Sequence, residues 1–546
     1  MFLDARRLEA GASLSTQVAI IGGGLAGLVI ARELAERSIE SCVLESGGFE
    51  PDPDTRDLYR GECIGIPYDF ADGCRSRYLG GSSNCWGGWC RPMDALDYER
   101  RSWVPHSGWP FGPDELSSYY ERAQGVLQLG VNNFDPGYWV DAINRPDVRR
   151  FPFSGQTLVD GVSQFSPPLQ AGKAFRQELR DSKKISVVLH ANVTNLLAEA
   201  TMTTLKHLQA QTLEGTQFTV RAQAFVLATG GIENARLLLA SNTQMPGGLG
   251  NAHDLVGRYF SDHPRITSGW VKFRPQWRGN KLYDNKFQYQ NNVLSANGTR
   301  IAAQFAATPE LQEREGLLNA RVEVTSIFPG EHHKAGAAIR RLRRRYEGAE
   351  SPGSTLSQDL LTVARHPLLS VGFAAARVFQ PKVLIHGVRM QATVEPAPNP
   401  DSRVTLSDKR DRLNMPRVRV AWRLDGNVKR TFDRMYALLR DELESSGVAE
   451  VTLDPRIGDG DWPETFEREG NWHHMGTTRM HDSPREGVVD RNCQIHGMTN
   501  FYVAGSSVFP TVSSDFPTIT LTALALRLAQ HIAGRLLAPS FAREPQ

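Results

Sequence analysis

No uncharged apolar run in this chain approaches the roughly 18 residues that a membrane-spanning helix needs. The nearest, Leu368 to Val378, is short and contains Arg377. The segment before Thr16 carries acids and no apolar stretch, so no signal peptide is expected. Cysteine is scarce: six in 546 residues, none in C-x-x-C and none at zinc-finger spacing from a histidine pair. A metal site therefore has little support, and reduced thiols in a cytoplasmic protein are expected. Net charge is small as well. Lys and Arg number 62 against 60 Asp and Glu, which leaves +2, so bulk electrostatics imply neither nucleic acid nor a strongly acidic partner. Internal repeats and low-complexity tracts are also lacking. A chain this long can bury a large core and is expected to form two domains or more.

What the sequence does contain is organised around Gln17 to Glu45. Val18-Ala19-Ile20-Ile21 is a short unbroken apolar run, which suits a strand buried on both faces. Gly22, Gly24 and Gly27 follow as G-x-G-x-x-G. The first permits a tight turn, the second lets a pyrophosphate approach the backbone, and the third lets the next helix pack on the strand. Leu25 to Arg37 reads as that helix, so the amides at Leu25 and Ala26 would point at phosphates. Ser41 to Leu44 reads as a second strand that ends on Glu45, with Ser46 next. An acid about 20 residues beyond the glycines is the expected ribose 2′-hydroxyl ligand of FAD or NAD, not of NADP.

Three later stretches repeat the theme. Tyr78 to Pro92 (YLGGSSNCWGGWCRP) has little side chain to pack and suits backbone lying against a ligand, while Trp86 and Trp89 argue for burial. Its candidate contacts are Gly80, Gly81, Ser82, Asn84, Cys85, Trp86 and Gly87. Val187 to Ala198, which includes Val193, and Phe218 to Thr229 read as strands. The second runs through Ala228 into Gly230-Gly231 and a helical ENARLLLAS. Asn500 to Ser507 is again a strand and a glycine turn, with Gly505 and Ser506. After Phe516, a helix is expected from Pro517 to Leu536, with Thr518 in its first turn. Proline suits that first position, and the helix would aim its positive end at whatever precedes it.

Between about His263 and Ala449 the character changes to strand-like alternation with long helices. Val428 to Ser446 is amphipathic, with Phe432, Met435, Leu438, Leu439 and Leu443 at helical spacing. Asp114 to Leu127 also reads as a helix. Ile339 to Arg345 is a short basic amphipathic helix. It could meet an anionic lipid surface or an acidic redox partner, but the simpler reading is a solvated helix answering nearby acids such as Glu347 and Glu350.

Taken together, the chain resembles the glucose-methanol-choline (GMC) oxidoreductases, FAD enzymes that oxidise alcohols. The resemblance rests on the N-terminal glycines, GGSSNCWGG at Gly80–Gly88, TGGIENARLLL at Thr229–Leu239 and GRYFSDHP at Gly257–Pro264. It continues through PNPDSRVTLS at Pro398–Ser407, WHHMGTTRM at Trp472–Met480 and the C-terminal GSSVFPT and PTITLTALALR. Within the family the likeness is greatest to the bacterial branch near pyranose and other sugar oxidoreductases. It implies an α/β fold in which a discontinuous Rossmann-like FAD-binding domain (1–100, 185–265 and 465–546) carries an inserted α+β substrate domain (101–184 and 266–464). It also implies a catalytic base at His473, three residues before the glycine of H-x-x-G-T, with His474 a weaker second. Histidine suits the role because its pKa can sit near neutrality. Amides in the first turn of the helix that begins at Pro517, that of Thr518 among them, would stabilise the negative charge of reduced flavin.

Two positions depart from the family pattern. An Asn or His usually stands before the final Pro-Thr, and here that residue is Phe516, which cannot hydrogen-bond a substrate oxygen. Either Asp515 or His474 takes over, or His473 works alone, or the chain does something other than alcohol oxidation. The lost hydrogen bond would cost roughly 1.5–3 kcal/mol. Cys85 stands where some relatives tether the flavin through histidine, and packing against the ring with dissociable FAD is expected. The resulting expectation is hydride removal from the CH–OH of a small-molecule alcohol such as a sugar, a glycoside or a sugar-bearing natural product. The electron acceptor stays open between oxygen, a quinone and a redox protein. The alternatives are a flavin-containing lyase without net redox chemistry and a membrane-docked dehydrogenase.

Overall fold

A computed structural model describes residues 1–538 except 67, 69–73, 168, 285–294, 297, 328–329, 331–332, 347–353, 380–386 and 455–471. Glu347 and Glu350, expected to answer the basic helix, lie outside the described residues.

The first sheet has eight strands. Ala12–Ile21 lies at its centre, with its last four residues buried. Ser41–Leu44, Ile185–Leu189 and Phe2–Asp4 follow in parallel on one side. Gln217–Leu227 lies parallel on the other. The outer edge of Gln217–Leu227 is shared. Its first half takes Leu205–Gln211 antiparallel, and Phe225 to Leu227 take Phe501–Val503 in parallel. The carboxyl ends of Ile21, Leu44, Leu227 and Val503 therefore emerge on one side, where open α/β sheets bind their ligands. Helices Leu25–Glu36, Gly231–Ala240 and Thr518–Leu537 start there.

Val187 to Ala198 is two strands, not one. Ile185–Leu189 ends at His190, whose φ is +59°, and Asn192–Ala198 begins a separate pairing. The break has a tertiary cause: the amides of His190 and Ala191 donate to the carbonyls of Gly47 and Glu45, 3.0 and 2.9 Å away. The chain is thereby tied to the loop after the second strand.

A second, antiparallel eight-stranded sheet includes Arg265–Phe273, Gly387–Val394, Ala320–Ile327, Thr299–Ala307 and Leu158–Phe165 as neighbours. Alternation divides its faces. Ile266, Val322, Val324, Met390 and Ala392 pack in one core with Val428, Phe432, Met435 and Leu439 of the helix Gly426–Ser445. The opposite face is buried too, yet carries Arg321, Glu323, Gln391 and Thr393. Buried polar side chains are costly unless hydrogen-bonded, and here Arg321 pairs with Asp515, Glu323 with Gln304 and Gln391 with Thr267.

Segments distant in sequence pack into the core of the first sheet. Trp109, Tyr120 and Leu179, and also Val404, Val418 and Trp422, belong to the core of the first sheet. The last three sit on a small sheet in which Pro416–Trp422 pairs in parallel with Gly61–Gly65, so pairing with an N-terminal strand draws them to that side.

Candidate active site

A cavity of about 630 Å³ runs along the carboxyl ends of the parallel strands to the polar face of the second sheet, a size typical of cofactor and small-molecule sites. Three helix starts meet it: Gly24 to Ala26, Gly230 to Glu233, and Pro517 with Thr518. None of the three helices has a side-chain cap hydrogen bond at its N-terminus. Three positive helix ends thus face one space, an arrangement that favours anionic groups. A Cβ on Gly230 or Gly505 would meet nothing within 4 Å, so the wall there is bare backbone. This cradle fits a dinucleotide carrying a pyrophosphate, and the residues that would hold it are those at the three helix starts together with Glu45.

Of the candidate cofactor residues, Gly22, Gly24, Leu25, Ala26, Glu45, Ser46, Gly81, Ser82, Cys85 and Trp86 line the cavity. So do Gly87, Val193, Ala228, Gly230, Gly505, Ser506, Phe516, Pro517 and Thr518, and His473 and His474 join them. Glu45 is buried and accepts from the amides of Gly23 and Gly47 at 3.0 and 2.9 Å.

Four candidates do not reach the cavity. Gly27 lies behind it, where a Cβ would stand 2.1 Å from the Gly22 carbonyl oxygen, so its role is helix–strand packing. Gly80 donates its amide to the Gly23 carbonyl at 2.8 Å and pins the second glycine loop on the first. The Asn84 amide group donates to the Leu79 carbonyl at 3.1 Å and braces that loop. Asp515 turns away and is buried, accepting from the Arg321 guanidinium at 3.0 and 3.2 Å. It cannot stand in for the missing Asn or His.

His473 is held by its surroundings. Asp262 is fully buried, and its carboxylate accepts from the amides of His473, Trp472 and His263 at 2.7–2.8 Å and from the Tyr68 hydroxyl. Trp472 takes a left-handed φ of +57° to allow this. The His473 imidazole meets Phe516 edge-on, with ring centres 5.1 Å apart. Its Nδ1 lies 2.9 Å from Nδ1 of His263, whose Nε2 lies 2.8 Å from the Ser513 carbonyl oxygen. The Ser513 hydroxyl in turn donates to Asp97 at 2.7 Å.

That chain fixes the tautomers. A carbonyl only accepts, so His263 Nε2 carries the proton. Burial lowers the His263 pKa to about 4, so the ring is neutral and its Nδ1 is bare. His473 must then donate from Nδ1, which leaves the lone pair on its Nε2. Burial, then the neighbouring His263, His474 and Arg265, hold the His473 pKa well below 6.5. His474 differs. Its ring packs against Phe260 and Tyr68, and its buried Nε2 has no hydrogen-bond partner among the described residues. Burial presses its pKa down to about 3.

The sequence reading gave no role to Asp262, His263, Arg265, Glu323 or Thr393. Arg265, Glu323 and Thr393 line the cavity beside His473, Trp89 and Phe516. Phe516 packs on Trp89 with ring centres 5.0 Å apart. Gln304 donates to Glu323 at 3.1 Å, and Arg265 donates to Gln391 at 2.6 Å. The available signal was the alternation in Ala320–Ile327 (ARVEVTSI), where Arg321, Glu323 and Thr325 interleave with apolar residues.

Residues 17–246 match the family model described as FAD dependent oxidoreductase, and residues 398–525 match GMC oxidoreductase. The chain is 25% identical over 319 residues to the fructose dehydrogenase large subunit of Gluconobacter japonicus, a match that covers 58% of this chain and 48% of that relative. It is 23% identical over 578 residues to paromamine 6'-oxidase of Streptomyces fradiae, covering 95% and 92%. Formate oxidase shares the fold, with a TM-score of 0.56 at 16% identity over 97% of this chain and 99% of that one. An FAD-dependent oxidoreductase region followed by a GMC oxidoreductase region bears out the resemblance to the GMC oxidoreductases, with FAD as the cofactor.

Proposed function

We propose that the chain removes a hydride from the CH–OH group of a sugar, a glycoside or a sugar-bearing natural product, with His473 as the base. The observation that carries this reading is the Ser513–His263–His473 chain, which assigns the lone pair of His473 to Nε2 at the wall of a cavity that also takes in Arg265, Glu323 and Thr393. FAD bound along the three helix starts would supply the hydride acceptor at its N5. His473 Nε2 takes the hydroxyl proton, so that the alcohol carbon can release its hydride and become a carbonyl. Arg265, Glu323 and Thr393 would orient the remaining hydroxyls. Phe516 and Trp89 would close the site to water beside the reacting carbon, and His473 would act without an Asn or His at position 516. The relatives named for fructose and paromamine support a sugar-type substrate. Nothing in the donor set requires a covalent tether at Cys85, and FAD is proposed to be dissociable.

The test is anaerobic mixing of the FAD-loaded chain with a panel of sugars, glycosides and simple alcohols. At least one hydroxyl-rich sugar or glycoside should bleach the flavin, and simple alcohols should bleach it more slowly. Turnover with the flavin left oxidised and no acceptor added would instead assign a lyase. No bleaching by any alcohol would reject the proposal.

A further inference from the structure

Seven of the fourteen exposed large apolar side chains among the described residues fall between Tyr346 and Val371. They belong to a compact group of three helices, Lys334–Tyr346, Leu356–Arg365 and Pro367–Phe379. Leu356, Leu360 and Leu361 are 49–55% exposed on the second helix; Leu368 and Val371 are 89% and 67% exposed on the third. Soluble monomers rarely leave so many large apolar side chains together in water.

These helices are also cationic. They contain eight Lys and Arg residues and one acid, Asp359, although the whole chain is only +2. Asp359 is buried and binds Arg341 and Arg345, which fastens the first helix to the second. The Arg340 guanidinium lies 5.6 Å from the ring centre of Phe373 and fastens the first to the third. Lys334, Arg343 and Arg365 are exposed, and Arg365 continues the apolar face one turn beyond Leu361. No described residue of the three helices lines the active-site cavity. No helix among the described residues is long and apolar enough to cross a membrane.

We propose that this three-helix group is a docking face for an anionic lipid bilayer, lying on the surface without spanning it. Its leucines enter the acyl boundary and its cations meet acidic headgroups. An apolar face rimmed by positive charge is the pattern of interfacial helices, and each cation near an anionic leaflet adds attraction that salt weakens. The first helix by itself would not suffice, since Asp359 engages two of its arginines. The leucines of the other two supply what that helix lacks. The proposal is independent of the redox chemistry, and its failure would leave the role of His473 intact.

The test is flotation of the FAD-loaded full chain with phosphatidylcholine vesicles, with and without phosphatidylglycerol. The protein should float with the anionic vesicles, and added salt should release it. Leu361→Ser with Leu368→Ser should lower the bound fraction about tenfold or more. Arg343→Glu with Arg365→Glu should do likewise, and both pairs should keep native turnover with a soluble acceptor. No flotation with anionic vesicles, or native flotation of the leucine variant, would overturn the proposal. So would a concentration-dependent dimer that the leucine changes abolish and that vesicles do not compete, which would give the face to a second copy of the chain.

Discussion

His473→Ala is expected to slow flavin reduction by about 10²–10⁴-fold, the usual contribution of a positioned general base, or about 3–5 kcal/mol of barrier. The variant should retain FAD. The imidazole contacts His263 and Phe516, and the backbone beneath it is held by Asp262 through the amides of residues 472 and 473. Removing the ring leaves that clasp in place.

The pH dependence should be equally specific. A histidine with a lowered folded-state pKa is neutral, and so competent as a base, at and above its ordinary value of about 6.5. The His473 pKa is well below 6.5, so wild-type flavin reduction should be flat from about pH 6 to pH 8 and fall only in more acidic solution. An inflection near 6.5 would mean that the ring titrates like an exposed histidine, contrary to its burial. Stopped-flow absorbance measures both the rate loss and the profile. A near-native rate in His473→Ala would remove the residue from the mechanism.

Gly22→Ala should abolish FAD retention. Gly22 has φ +109°, and a Cβ there would stand 2.5 Å from the Ala228 carbonyl oxygen and 2.9 Å from its carbon. Both obstacles are backbone. They lie at the ends of two central strands whose register pairs Ile21 with Leu227, so no flexible side chain can give way. The left-handed conformation alone costs roughly 1–3 kcal/mol for a residue with a side chain, and the clash adds to it. Together they should weaken FAD binding at least about 100-fold or lower the melting temperature by several degrees. Gly11→Ala is the control. Its φ is +81°, but a Cβ there meets nothing within 4 Å. It should cost about 1 kcal/mol of stability and leave the flavin content unchanged. The ratio of flavin to protein absorbance after gel filtration reads both. Full flavin content in Gly22→Ala would show that the turn does not need its glycine.

The nucleotide end of the site was legible in the sequence because its signals are local. Strand, glycine turn and helix follow one another in the chain at Ile21–Leu25 and at Leu227–Gly231, strand and glycine turn recur at Val503–Ser506, and each turn meets the cavity. The substrate end was not legible, because its residues meet only in three dimensions. Arg265 and Thr393 become neighbours through antiparallel register, as do Arg321 and Thr393. The His473–His263 pair spans 210 positions. Phe516 looked like a loss of function in one dimension. In the fold it closes a cluster with Trp89, Phe165 and Ala302, and Asp515 is turned into the Arg321 pair next to it. The split of Val187 to Ala198 at His190 was invisible because the partners that cause it, Gly47 and Glu45, lie more than 140 residues earlier. The basic helix was visible, but its buried partner Asp359 and the leucines beside it were not, since those belong to the next two helices.

The central claim is that three helix starts, far apart in sequence, converge on one FAD. Titrating the purified, flavin-free chain with FAD and following flavin fluorescence and absorbance tests it most directly. One FAD per chain should bind, and acid precipitation should release it to the supernatant. A chain that stays colourless with FAD in excess would contradict the account.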